Sequence, residues 1–417
     1  MNNQSLLFCT SLTIFSMLAM FLYMPSMLMF YLVTVCLFFP FRDKTYTGSL
    51  FFIVVFFATL SLGMTTSSRE LFQFYEDDFV SYYNNYVCFL SGGSGCLTEF
   101  GITEIGVPLV NGAISLILQE NYPRVVLLIH SVFQVIIASL FIKKVSEKHS
   151  WRLVPIFFAS LLIFYKYGAL SLHLRQGYAS AFIFLALLST SRSRYILLLI
   201  AFFFHNSTII IYPLCNFILK TSNKRRLIFS ISMLLLLPFI LVAFHMFSGV
   251  IYSIPLLSSR LGYILGNIDN SVVLANTFIN ALNRIVYILP IFLFSGSLYF
   301  IYRKESALYY FSLSFCLISF FLLSSSVPIL QRLLAPVAYI YLGYLYADFF
   351  IKYTGRNVIK VILLSLWSFT YYRWFGDEAY FFSAYPRYSS EYLYYADSFT
   401  EKHNYINRDV LDYRQVE

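Results

Sequence analysis

The sequence predicts an all-α polytopic membrane protein with about 11–12 transmembrane helices. Three observations carry this reading. Of 417 residues, 59% are hydrophobic and only 12% are charged, against about 25% charged in a soluble domain. Apolar runs of about 20 residues, the length that crosses a bilayer as a helix, recur from end to end. Lys and Arg gather in every other loop between those runs, the pattern that fixes orientation during insertion. The formal charge of +9 lies largely in these loops, so it reports topology and asks for no nucleic-acid partner.

The apolar pattern places spans near 6–23, 26–41, 47–64, 124–142, 152–171, 177–190, 195–219, 227–247, 284–302, 307–325, 332–351 and 357–375. No basic residue precedes the first run and no small-residue cleavage signal follows it, so it reads as a retained helix. Basic clusters at Arg42-Asp43-Lys44, Lys143-Lys144 through Arg152, Arg192-Ser193-Arg194, Lys220 through Arg226, Arg303-Lys304 and Lys352 through Arg356 are expected in the cytoplasm. Loops near 65–123, 172–176, 248–283 and 326–331 are then external, and two of them are large. Residues 1–375 form one expected helical membrane domain, followed at 376–417 by a polar, Tyr-rich external tail.

Two segments break simple alternation. The apolar stretch Ile105 to Leu118 is short, about 21 Å as a helix. Counting it as a span would put the Lys143-Lys144 cluster outside, so it is expected to be re-entrant or to lie at the external interface. Segment 195–219 has basic clusters at both ends and His205-Asn206-Ser207 in its middle. Two half-helices meeting at His205 satisfy the charge rule where one span does not, and broken helices occur where backbone lines a cavity.

Six cysteines give no metal pattern, and no second His or Cys stands at zinc-ligand spacing from His205. Cys9, Cys36, Cys215 and Cys316 sit in apolar segments and read as packing residues. Cys88 and Cys96 flank a Gly/Ser stretch in a polar loop, where a disulfide would form if the loop faces an oxidising compartment.

The arginines of the external loops stand singly: Arg69, Arg175, Arg260, Arg284 and Arg332. They oppose the charge rule, so orientation does not explain them. An Arg near the centre of a span costs about 2.5–3.5 kcal/mol, and less toward the edge. Snorkelling to headgroup phosphates could hold any one of them. Several converging at the outer surface would suit a lipid-borne diphosphate, because guanidinium grips phosphate oxygens through a planar fork. Arg175 stands with Gln176 at a helix start, unfavourable for the helix dipole, which makes an anion an attractive partner. The small residues Ala179-Ser180-Ala181 after it would let a helix or ligand approach closely.

Among the loop carboxylates, Glu70, Glu76, Asp77 and Glu99 read as solvated charge, while Asp78 and Glu104 stand out. Glu104 directly precedes an apolar segment, where a carboxylate would cap a helix. Half-buried near headgroups, it would have a raised pKa and suit a general base. His205, in a strongly apolar run, is either a satisfied core residue or an acid, base or hydrogen-bond donor at membrane depth.

In this order the motifs resemble the EpsG-like branch of Wzy-type polysaccharide polymerases. The resemblance rests on Arg69 followed by Asp78 to Tyr82 (Asp-x-x-x-Tyr), Glu104 to Gly106 (Glu-x-Gly), Leu174 to Gln176 (Leu-Arg-Gln) and His205 to Ser207 (His-x-Ser), then the single arginines at 260, 284 and 332. It covers roughly residues 60–335 and leaves the Gly/Ser loop and the tail unexplained.

The resemblance implies a GT-C-like enzyme of the bacterial inner membrane that joins O-antigen or exopolysaccharide repeat units by inverting transfer at the periplasmic face. Donor and acceptor would both be glycans on undecaprenyl diphosphate, with no metal, cofactor or nucleotide sugar, and with a chain-length regulator as a further partner. Arg175, Gln176, Arg260, Arg284 and Arg332 would then hold the diphosphate, Arg69 and Tyr82 the sugars, and Asp78, Glu104 or His205 would supply the base. The rivals are a lipid-linked oligosaccharide flippase and an O-antigen ligase. A flippase should show two pseudo-symmetric halves, and none is visible in the sequence.

Overall fold

The computed structural model describes residues 3–23, 25–38, 52–61, 63, 78–119, 122–146, 153–164, 173–189, 192–220 and 356–375, with single positions at 222, 225, 228, 229, 232 and 347. Their regular structure is helical throughout, without a strand. The helices are α1 (Asn3–Tyr23), α2 (Pro25–Phe38), α3 (Asp78–Leu90), α4 (Gly106–Ile117), α5 (Pro123–Ser146), α6 (Val154–Phe164), α7 (Leu174–Leu188), α8 (Ser193–Phe204), α9 (Thr208–Lys220) and α10 (Arg356–Phe375). Positions 52–61 are also helical.

Among the described residues no helix is long and apolar enough to cross a membrane. Several expected spans are represented by short helices: α6 has 11 residues, α7 has 15, and the 195–219 run is divided between α8 and α9. The spans expected near 227–247, 284–302, 307–325 and 332–351, and the tail 376–417, lie outside the described residues.

The chain divides into two compact units, Met1–Thr208 with Thr354–Glu417, and Ile209–Tyr353. In the first, α2 packs on α1, α6 and α10, while α5 packs on both α6 and α7. Helix α7 lies against α8, which the sequence explains: Gly177, Ala179, Ser180 and Ala181 are all buried, and small side chains let helix axes approach.

Helix α3 falls in a stretch expected to be loop. Its polar residues hid a helical period: Phe79, Tyr82, Tyr83 and Tyr86 all fall on one buried face. Asp78 in its first turn complements the positive end of the helix dipole. Tyr83 stacks between Phe79 and Tyr86, with ring centroids 6.2 and 5.8 Å away. This face joins Val107, Ile114, Leu174, Tyr178 and Phe204 in one core that draws α3, α4, α7 and α8 together.

The Gly/Ser loop after α3 is closed by a Cys88–Cys96 disulfide. Gly95 enters the following 3₁₀ turn with φ +91°, a left-handed conformation that a side chain would strain. Gly106 serves differently: a Cβ there would lie 2.7 Å from the Phe204 ring and 3.0 Å from its Cα, so only Gly lets α4 meet the end of α8.

Candidate functional site

The amino-terminal ends of α3, α4 and α7 supply Asp78, Glu104 and Arg175, and the carboxy-terminal end of α8 supplies His205. Helix α8 stops because His205 is extended, at φ −159° and ψ 125°. The break is well satisfied. His205 N–H still closes the last turn on Ala201 O at 2.9 Å, and the Thr208 hydroxyl donates to His205 O at 2.7 Å. The two half-helices expected at His205 are thus present as α8 and α9.

The backbone N–H of Asn206 has left the helix and donates to Glu104 Oε1 at 2.9 Å. His205 Nδ1 lies 2.8 Å from the same oxygen. The other carboxylate oxygen, Oε2, accepts from Arg175 Nη1 at 2.5 Å. Glu104 is therefore a buried bridge between α7 and the α8 break, and it is not the cap of α4: Ile105 holds that position, without a side-chain cap.

The same contacts reverse the pKa expected of Glu104. Burial alone would raise it, but the hydrogen bonds from His205 and Asn206 N–H, with the charges of His205 and Arg175, outweigh burial and hold it at about 2. A carboxylate held this firmly in its ionised form is a poor proton acceptor near neutral pH.

Arg175 finds its anion within the protein. Its Nε points to the Tyr82 hydroxyl at 3.4 Å, and its guanidinium lies over the Phe100 ring at 5.0 Å and the Tyr82 ring at 5.8 Å. Burial pushes the Tyr82 phenol above its ordinary range, so it stays protonated. Among the described residues none accepts from Arg175 Nη2, and about a third of the side chain reaches solvent. Gln176, next along α7, is buried.

One turn before Tyr82, Asp78 Oδ2 lies 2.6 Å from His173 Nδ1. A second carboxylate–imidazole pair therefore stands beside the first. Both imidazoles use Nδ1, and both side chains are partly exposed, at 33% for His173 and 28% for His205.

Below these pairs runs a buried polar chain. Asn85 Nδ2 donates to Cys96 O and to Glu99. Asn111 Nδ2 donates to Tyr82 O and to Asn85 Oδ1, both at 2.9 Å. Asn111 Oδ1 then faces His130 Nε2 at 2.8 Å, which puts a proton on Nε2. His130 Nδ1 is left to meet the Tyr178 hydroxyl at 3.0 Å.

Of the residues singled out from sequence, Glu104, Arg175, His205 and Tyr82 meet directly, and Asp78 lies one helical turn from Tyr82. Arg69, Arg260, Arg284 and Arg332 lie outside the described residues. His173, Phe100 and Asn206 were given no role from sequence. The only signal for His173 was its place two residues before Arg175, and nothing in the spacing tied it to a carboxylate 95 residues away.

The EpsG family model matches residues 71–390. The chain belongs to the EpsG family, a family of Wzy-type polymerase-like membrane proteins. Membership suggests a polymerase-like role in polysaccharide biosynthesis, acting on lipid-linked sugars. No curated protein and no solved structure matches the chain.

Proposed function

We propose that the protein polymerises glycan repeat units carried on undecaprenyl diphosphate, by metal-independent inverting glycosyl transfer at the periplasmic face of the bacterial inner membrane. One observation carries this reading beyond family membership: Glu104, Arg175 and His205, from three distant parts of the chain, meet beside an aromatic wall of Tyr82 and Phe100. The Cys88–Cys96 disulfide supports an oxidising compartment for the surrounding loop.

In the reaction, an acceptor hydroxyl attacks the anomeric carbon of the donor glycan. The bond from that carbon to the diphosphate oxygen breaks, and its electron pair leaves with the lipid diphosphate. Arg175 offers Nη2 to the developing negative charge while Glu104 and the aromatic rings hold the guanidinium in place. The partial positive charge at the amino-terminal ends of α3, α4 and α7 favours the same anion. The sequence pattern adds Gln176, Arg260, Arg284 and Arg332 as further diphosphate-binding residues. Arg69 and Tyr82 contact the sugars, and His205, fixed through Nδ1, offers Nε2 as a donor to the leaving group.

Reconstitution of the purified chain with a lipid-linked repeat unit tests this. A ladder of products is the expected result. A single addition to a different acceptor would make it a ligase, and transbilayer movement without product would make it a flippase.

A further inference from the structure

Inverting transfer needs a base for the proton of the attacking hydroxyl. Three carboxylate or imidazole groups were candidates from sequence, and the geometry separates them. Glu104 already accepts from Arg175 Nη1, His205 and the Asn206 N–H, so most of its acceptor sites are taken and its negative charge is compensated. His205 shares that carboxylate with Arg175, and its Nε2 is the donor to the leaving group in the reading above, so it is not also the base.

His173 stands differently. It precedes α7, its Nδ1 is 2.6 Å from Asp78 Oδ2, and its carboxylate comes from α3 rather than from the Arg175 bridge. A carboxylate on Nδ1 holds the N–H there, leaves the Nε2 lone pair outward, and stabilises the imidazolium that forms when Nε2 takes a proton. Among the described residues none bonds to Nε2, and a third of the side chain is exposed. Among the described residues, the charged and titratable groups near it are Asp78 and Tyr82 on α3, Arg175 on α7, and Glu104 with His205 beyond Arg175.

We propose that His173, oriented by Asp78, is the general base that activates the acceptor hydroxyl; this rests on the polymerase reading above. The hydroxyl proton passes to His173 Nε2 as the oxygen bonds to the anomeric carbon. It is released to solvent after the lipid diphosphate departs. Asp78 is a positioning residue that acts through His173, and Glu104 is a fixed clamp for Arg175.

The test uses the full chain in liposomes with a lipid-linked repeat unit, comparing wild type, His173→Ala, Asp78→Asn and Arg175→Ala. His173→Ala should lose kcat by about 10²–10⁴-fold, the usual worth of a positioned base, with KM little changed. Added imidazole should restore part of that rate in His173→Ala and none in Arg175→Ala. Asp78→Asn keeps the shape of the pair and should also lose kcat, with an unchanged melting temperature. Undiminished kcat in His173→Ala overturns the assignment. So does a loss that imidazole leaves untouched while Asp78→Asn keeps wild-type kcat, whether or not His173→Ala folds normally. A wild-type chain that yields no ladder would instead remove the polymerase reading itself.

Discussion

Glu104 Oε1 lies 2.8 Å from His205 Nδ1, although 101 residues separate the two in sequence, and the opposite oxygen of the same carboxylate holds Arg175. One side chain thus fixes both a cation at the start of α7 and an imidazole at the end of α8.

The clamp makes a pH prediction for Glu104→Gln. The Glu104 carboxyl falls from its ordinary 4.5 to about 2 on folding, so between those values the unfolded chain binds more protons. The stability this contributes is fully present above pH about 4.5 and is lost as pH falls toward about 2. Wild-type melting temperature should drop across that window, and Glu104→Gln should drop less, from a lower starting value. Parallel curves would mean that the ionised carboxylate is not what the contacts stabilise.

Arg175→Lys separates charge from shape. Lysine keeps the positive charge but lacks the planar fork that spans Glu104 and Tyr82 with a further donor turned outward, and it cannot lie flat on Phe100. Arg175→Ala should lower kcat by about 10²–10³-fold, as loss of one preorganised donor does elsewhere. Arg175→Lys should recover little of it. Recovery to near wild type would reduce the role of Arg175 to charge alone.

Gly106→Ala tests the approach of α4 to α8. The added methyl would meet the Phe204 ring at 2.7 Å and its backbone at 3.0 Å, so a ring rotation cannot clear it. Overpacking of this kind costs about 1–3 kcal/mol. Phe204 adjoins His205, so the displacement should also loosen the Glu104 bridge and lower kcat. A variant with wild-type stability and rate would show that α4 shifts freely.

What was legible in the sequence was local. The break at His205 showed because polar residues interrupt a long apolar run, and Arg175 showed because it opposes the helix dipole and the charge rule. What pairs with what was not legible. Nothing near Arg175 names Glu104, 71 residues back, as the anion that meets it, so the sequence alone points to an external anion. Helix α3 is masked in the sequence because its Asp, Ser and Asn outweigh the spacing of Phe79, Tyr82, Tyr83 and Tyr86. His130 and Asn111 passed as parts of apolar segments, since burial and partnership are set by packing between helices.

That buried chain yields the last prediction. Asn111 donates to Tyr82 O and Asn85 Oδ1 and accepts from His130 Nε2, so Asn111→Leu strands Asn85 Oδ1 and His130 Nε2, while Tyr82 O keeps its helical bond. Each buried group left without a partner costs about 1–3 kcal/mol, far more than the net gain of making the bond. The single variant should therefore melt well below wild type. It should also slow turnover, because the Tyr82 carbonyl it releases belongs to the helix that carries Asp78 and the ring beneath Arg175. His130→Phe alone strands Asn111 Oδ1, while the Tyr178 hydroxyl keeps its bond to the His130 carbonyl. In the double variant the pair is gone from both sides, so the combined cost should be smaller than the sum of the two single costs. Melting of the four proteins measures that difference directly. Simple additivity would mean that Asn111 and His130 stabilise the core independently, and that no continuous polar chain supports the floor of the site.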